Sequence, residues 1–117
     1  MNGEIHKIEP VNNLIDRVYL NNDEIVCEIH KKLLACNLGE KLKINISDQI
    51  IKSPSYLVSG QIYHTEKNSV CVSCGGLLYK LPYFQSSSLG KNIYINLAKV
   101  SKRGRQPSNA SVKKTKS

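Results

Sequence analysis

The residues of this chain most readily imagined doing chemistry are its four cysteines, Cys27, Cys36, Cys71 and Cys74. The last two sit in the stretch "SVCVSCGGLLY", Ser69–Tyr79, with two residues between them and a pair of glycines behind. Such a pair could open a zinc knuckle or form a redox dithiol. A structural zinc site needs four ligands in a tetrahedron, commonly two from each of two knuckles. The second half is missing: eight residues lie between Cys27 and Cys36, and His6, His30 and His64 each stand alone. A catalytic dithiol needs its first cysteine at a helix N-terminus, where amide groups favour the thiolate. Here the pair runs into Gly75-Gly76 and then the strand-like "LLYKL". Neither a metal site nor redox catalysis is expected.

Alternation accounts for the same letters more simply. Val70, Val72 and Cys74 fall on one face of a strand and Cys71 and Ser73 on the other. Residues three apart on a flat strand point to opposite sides, so the two thiols could not share a ligand sphere. Gly75 and Gly76 then let the chain kink or bulge. Leu77, Tyr79 and Leu81 resume one face, with Leu78 and Lys80 on the other, until Pro82 ends the run. Residues 70–81 are thus expected to form one bent β-ribbon. No paired carboxylates stand at motif spacing, no Ser or Cys has an adjacent His base, and no phosphate-cradling glycine loop precedes a helix. A non-catalytic protein without a cofactor is expected.

Period-two alternation recurs through the elements that would hold this ribbon. "KLKINIS" places Leu42, Ile44 and Ile46 on one face, and "GKNIYINLAKV" places Ile93, Ile95 and Leu97 inward, opposite Tyr94, Asn96 and Ala98. "SYLVSGQIYHTE" aligns Val58, Gly60 and Ile62, "EIVCEIH" aligns Ile25, Cys27 and Ile29, and "LIDRVYLNN" is a further short strand. Turn signals separate them: "NND" at 21–23, "NLGE" at 37–40, "SPS" at 53–55, "EKN" at 66–68 and "SSSLGKN" at 86–92. Several short strands at this spacing predict a closed or nearly closed antiparallel barrel. "EIHKKLLACNLGEK" could pass for one or two helical turns ended by Gly39, and is read as strand because its neighbours are strands.

With 117 residues, 40% of them hydrophobic, the chain suits one domain whose core needs no disulfide or metal. Aromatic content is 6% and Trp is absent, so Ile, Leu and Val must fill that core. No apolar run approaches the ~20 residues that span a bilayer, and the N-terminus has no secretory pattern, which predicts an intracellular protein with reduced thiols. The net charge of +8 is concentrated at one end. Residues 101–117 hold six of the 17 basic residues and no acidic one; the 11 that remain face nine acidic residues, a net of +2. Residues 1–100 are therefore expected to form a nearly neutral barrel domain, and disorder is expected from Ser101. The basic tail could aid nuclear import, touch nucleic acid weakly through counterion release, or simply be a solvated end.

At "VCVSCGGLLYKL", Val70–Leu81, the chain resembles the eighth common subunit of nuclear DNA-directed RNA polymerases I, II and III, whose most recognisable stretch is a strand running into Gly-Gly-Leu-Leu, then a basic residue and Leu. Further segments are similar in the same order: "IDRVYL" at 15–20, "NLGEKLKINIS" at 37–47, "YLVSGQIYHTE" at 56–66 and "LGKNIYINLAKV" at 89–100. The chain departs from the family in three places. Only "SDQIIKSPS" stands where the family carries a long acidic loop, Cys74 replaces a common Tyr, and the basic tail is extra.

The resemblance implies an all-β, eight-stranded antiparallel Greek-key barrel related to the oligonucleotide-binding (OB) fold. It further implies a nuclear, non-catalytic subunit that docks on the largest polymerase subunit and meets other polymerase subunits. Fold alone does not establish function. A barrel without chemistry can act as a clamp, pairing an exposed edge and an apolar patch with a larger chain. The expected patch is Gly75, Gly76, Leu77 and Leu78, because glycines permit close approach and one of two adjacent leucines must face outward. In the alternative, both leucines are core and the glycines only turn a barrel corner. A rival function is a free single-stranded nucleic-acid binder, using Phe84 and the tyrosines at 19, 56, 63, 79, 83 and 94 as stacking platforms.

Overall fold

The structure is a computed structural model and describes residues 1–85 and 87–100. The expectation for the tail from Ser101 lies outside the described residues. Eight strands follow in order: β1 (Asn2–Pro10), β2 (Ile15–Leu20), β3 (Ile25–His30), β4 (Lys41–Ser47), β5 (Tyr56–Thr65), β6 (Ser69–Cys74), β7 (Leu77–Pro82) and β8 (Asn92–Lys99). They close into one antiparallel barrel in the ring order β1-β2-β3-β7-β6-β5-β8-β4. Two meanders, β1-β2-β3 and β5-β6-β7, are therefore joined by longer Greek-key connections that carry β4 and β8 to the far wall. Closure leaves no continuous free edge, the usual hazard of an isolated sheet.

Alternation decides what lies inside. Leu42 and Ile44 of β4, Ile93, Ile95 and Leu97 of β8, Ile25, Cys27 and Ile29 of β3, and Val70, Val72 and Cys74 of β6 are all buried in one cluster. β-branched side chains stand well on a pleated, half-buried wall, so this Ile-rich composition suits a barrel more than a bundle.

Three local features differ from the sequence expectation. The first is β1, which alternation does not announce. Its apolar residues Ile5 and Ile8 are three apart, yet Ile5 is buried and Ile8 packs against the core. A register shift between Ile5 and Lys7 in the β1–β2 ladder inserts one residue and turns both inward.

The second is the glycine pair. Cys74 pairs directly with Leu77, so Gly75 and Gly76 are the two residues of a tight hairpin and the chain reverses there. The ribbon does not bend through a bulge. Both glycines have positive φ, 59° and 89°, the primed-turn geometry whose twist matches the flanking strands.

The third is "KKLLACNLGE". Strand β3 stops at His30, whose carbonyl accepts from the N–H groups of Leu33 (3.0 Å) and Leu34 (3.1 Å). One helical turn forms there and goes no further. Gly39 follows at φ 85° and closes the loop.

Candidate functional site

The expected patch residues fall on the β6–β7 hairpin, where geometry separates their roles. Gly75 and Gly76 form the tip, and nothing lies within 4 Å of where a side chain would begin at either. Leu77 is half-buried and packs against the core. Leu78, on the opposite face, is 45% exposed. The two leucines thus split as β-strand alternation requires, one inward and one outward.

Leu78 has an apolar companion two strands away. β5 and β6 pair through Ile62↔Val72 and His64↔Cys71, with Tyr63 extra between them. This bulge directs Tyr63 and His64 both outward, and Tyr63 is 51% exposed. Its hydroxyl lies beside the Cys71 thiol, and burial there, ahead of the neighbouring thiol, raises its pKa. Between Tyr63 on β5 and Leu78 on β7, the outward residues of β6 are the small Cys71 and Ser73, the latter paired directly with Leu78. On the outer wall Cys71 and Ser73 thus separate Tyr63 from Leu78, with Lys80 paired to Cys71 and Gln61 to Ser73.

Leu78 is tied to a polar network that sequence reading missed. Glu28 is only 6% exposed although it points to the outer wall. Its Oε2 accepts from Arg17 Nε at 3.2 Å and Nη2 at 2.8 Å, while its Oε1 accepts the backbone N–H of Leu78 at 2.9 Å. Hydrogen bonding to Glu28 is the leading cause that raises the Arg17 pKa. Arg17 also lies 3.9 Å from Glu9, which accepts the Tyr19 hydroxyl, while Lys7 stands over the Tyr19 ring at 4.9 Å. A signal for the Arg17–Glu28 pair existed. The hairpin around 21–24 pairs Leu20 with Ile25, and counting outward puts Arg17 opposite Glu28.

The cysteines occupy places without shared chemistry. Cys74 faces the core and Cys71 the outer wall, so the pair cannot close on one ion. Among the described residues no group of three or more His, Cys, Asp or Glu is placed to hold a metal. All four thiols are free. Burial pushes Cys27 far above the ordinary thiol range and Cys36 and Cys74 up to about 11, which disfavours the reactive thiolate. With iodoacetamide at neutral pH, Cys71 should therefore be alkylated first, Cys36 much later, and Cys27 and Cys74 only after denaturant; peptide mass mapping over time reads the order. Early modification of Cys74 would mean that the hairpin opens readily.

Two of the aromatic residues lie inside the barrel. Tyr56 and Tyr79 are buried, at 7% and 1% exposure, and their rings cannot stack on bases. Tyr63 and Tyr83 are exposed, but Tyr63 projects from β5 and Tyr83 follows β7. The protein-family models and the curated proteins compared with this chain yielded no match.

Proposed function

We propose that the protein is a non-catalytic structural subunit of a nuclear RNA polymerase that docks on the largest subunit through the outer face of the β6–β7 hairpin. The reading rests on the ordered similarity of Ile15–Val100 to the common-subunit family, and the closed eight-stranded barrel is compatible with it. The observation that carries the site is Leu78, held outward beside a two-glycine tip with 45% of its surface in water. A large aliphatic side chain in such a place is the kind of anchor that a partner's pocket buries, and covering the part still in water is worth roughly 1 kcal/mol. Gly75 and Gly76 would let partner backbone approach the tip closely.

Affinity purification of the tagged protein from its source cells tests the reading. Wild type should retain the largest polymerase subunit at near-equal stoichiometry, and Leu78→Asp should lower that retention at least about tenfold by placing a charge in an apolar contact. Leu78 is a better probe than Gly76, because any side chain at a φ of 89° strains the turn as well as blocking the face. Undiminished retention by a folded Leu78→Asp protein would reject this face. Recovery of the wild type as a lone monomer, or with single-stranded nucleic acid alone, would reject the assembly role.

A further inference from the structure

We infer that Glu28 is a positioning residue for the hairpin that carries Leu78, acting as a side-chain rung where the barrel wall lacks one. The inference rests on the docking reading for its functional meaning, but its physical content stands apart. The β3–β7 ladder consists of Val26↔Lys80 and Cys27↔Tyr79 and stops there. The next rung would join Glu28 to Leu78 through their backbones. Instead the N–H of Leu78 donates to the Glu28 carboxylate at 2.9 Å. The same carboxylate is clamped from the other side by two donors of Arg17 on β2, so one side chain ties β2, β3 and β7 together.

That arrangement is a costly way to make one strand contact. A carboxylate in a 6% exposed residue gives up most of its hydration, whereas a backbone carbonyl would satisfy the same amide without burying charge. An ion pair with one buried partner is weak evidence of stability, and in some proteins such a pair is kept for the geometry it enforces. Here the geometry is specific. A side-chain acceptor takes the place of a backbone one at Leu78, two residues after the open tip at Gly75 and Gly76. Arg17 holds the carboxylate fixed, and the carboxylate holds the amide whose own side chain is the proposed anchor.

Amide hydrogen exchange by NMR on the full chain tests this, comparing wild type with Glu28→Ala, Glu28→Asp and Glu28→Gln. Loss of one charge-assisted hydrogen bond should speed exchange at Leu78 about tenfold or more in the Ala variant. Asp keeps the charge but withdraws the carboxylate by one methylene, and should also deprotect Leu78. Gln keeps an acceptor oxygen of the same reach and should restore protection relative to Ala. The Lys80 amide, on an intact rung, should change little in any variant. Leu78 as protected in the Ala and Asp variants as in wild type would overturn the inference, as would equal acceleration at Leu78 and Lys80, which would mark general destabilisation. Should the Ala variant fail to fold, the Asp variant decides.

The functional arm is a double-mutant cycle on retention of the largest polymerase subunit. Glu28→Ala and Leu78→Ala should each reduce it, and together by less than the product of the two losses, because the first acts through the second. Fully multiplicative losses would overturn the positioning role. If wild type retains no polymerase subunit, the docking reading fails, and the exchange experiment still judges the rung.

Discussion

Gly60→Ala should cost this protein about 3 kcal/mol or more of stability. Gly60 lies in β5, where the strand passes from pairing with β8 to pairing with β6. A Cβ at this position would stand 2.5 Å from the Cys74 Sγ and 2.8 Å from the Ser73 carbonyl carbon, and closer still to the Ser73 carbonyl oxygen. Two of those three neighbours are backbone atoms of a paired strand and cannot rotate aside. Relief requires β6 to withdraw from β5, which would break the ladder around Gln61↔Ser73. Over-packing in a close-packed interior commonly costs 1–3 kcal/mol, and a clash with fixed backbone belongs at or beyond the upper end, about 3 kcal/mol or more. For a domain of this size that lowers Tm by about 12 °C or more. Thermal and urea unfolding followed by circular dichroism will show it.

A second glycine provides the control. Gly75 has a φ of 59°, with open space where a side chain would go. Asn tolerates that conformation, so Gly75→Asn should change stability by less than about 1 kcal/mol. Gly60 is needed for the room it leaves and Gly75 for the dihedral it adopts. A Gly60→Ala protein that melts within a few degrees of wild type would show that β6 can move away from β5 almost freely, and the tightly closed wall described above would be wrong.

Asn96→Leu should be the next most damaging change. Asn96 is 6% exposed, and its Oδ1 accepts the N–H groups of both Ser55 (2.9 Å) and Tyr56 (3.0 Å), 41 and 40 residues away. One oxygen thus satisfies the two amides that begin β5 against β8. Leucine fills similar space but accepts nothing, leaving two amides unpartnered, one of them in a fully buried setting. At 1–3 kcal/mol for each such loss, softened by water reaching Ser55, the expected destabilisation is about 2–4 kcal/mol. Tm should fall by roughly 8–16 °C. Asn96→Asp keeps an acceptor in place and should lose less. Equal losses from Leu and Asp would mean that the side-chain volume, not the oxygen, matters at this position.

These two residues mark where sequence reading stops. Gly60 was legible as a glycine on the inward face of a strand, between Val58 and Ile62. What made it necessary was the carbonyl of Ser73, thirteen residues on, which no local pattern points to. Asn96 falls among the outward positions of β8 by alternation, and a polar residue there reads as solvated. It is buried because the loop into β5 folds over it. Glu28 likewise reads as a solvated charge on an outer face until Arg17 and the Leu78 amide close around it. β1 escaped because its bulge breaks the period on which strand recognition depends.

Much else was visible beforehand. Alternation is a property of neighbouring residues, and a pleated strand converts it directly into an inside and an outside. The all-β class, the inward faces of β3, β4, β6, β7 and β8, the opposed thiols of Cys71 and Cys74, and the outward turn of either Leu77 or Leu78 all follow from it. Turn residues mark the chain reversals in the same local way, although two glycines permit a hairpin as readily as a bulge, and only strand pairing chose between them. Which wall faces which, where one backbone presses on another, and which polar group completes another's hydrogen bonds depend on residues eleven to fifty apart. Those contacts exist only once the ring of strands has closed, because closure alone brings them within reach.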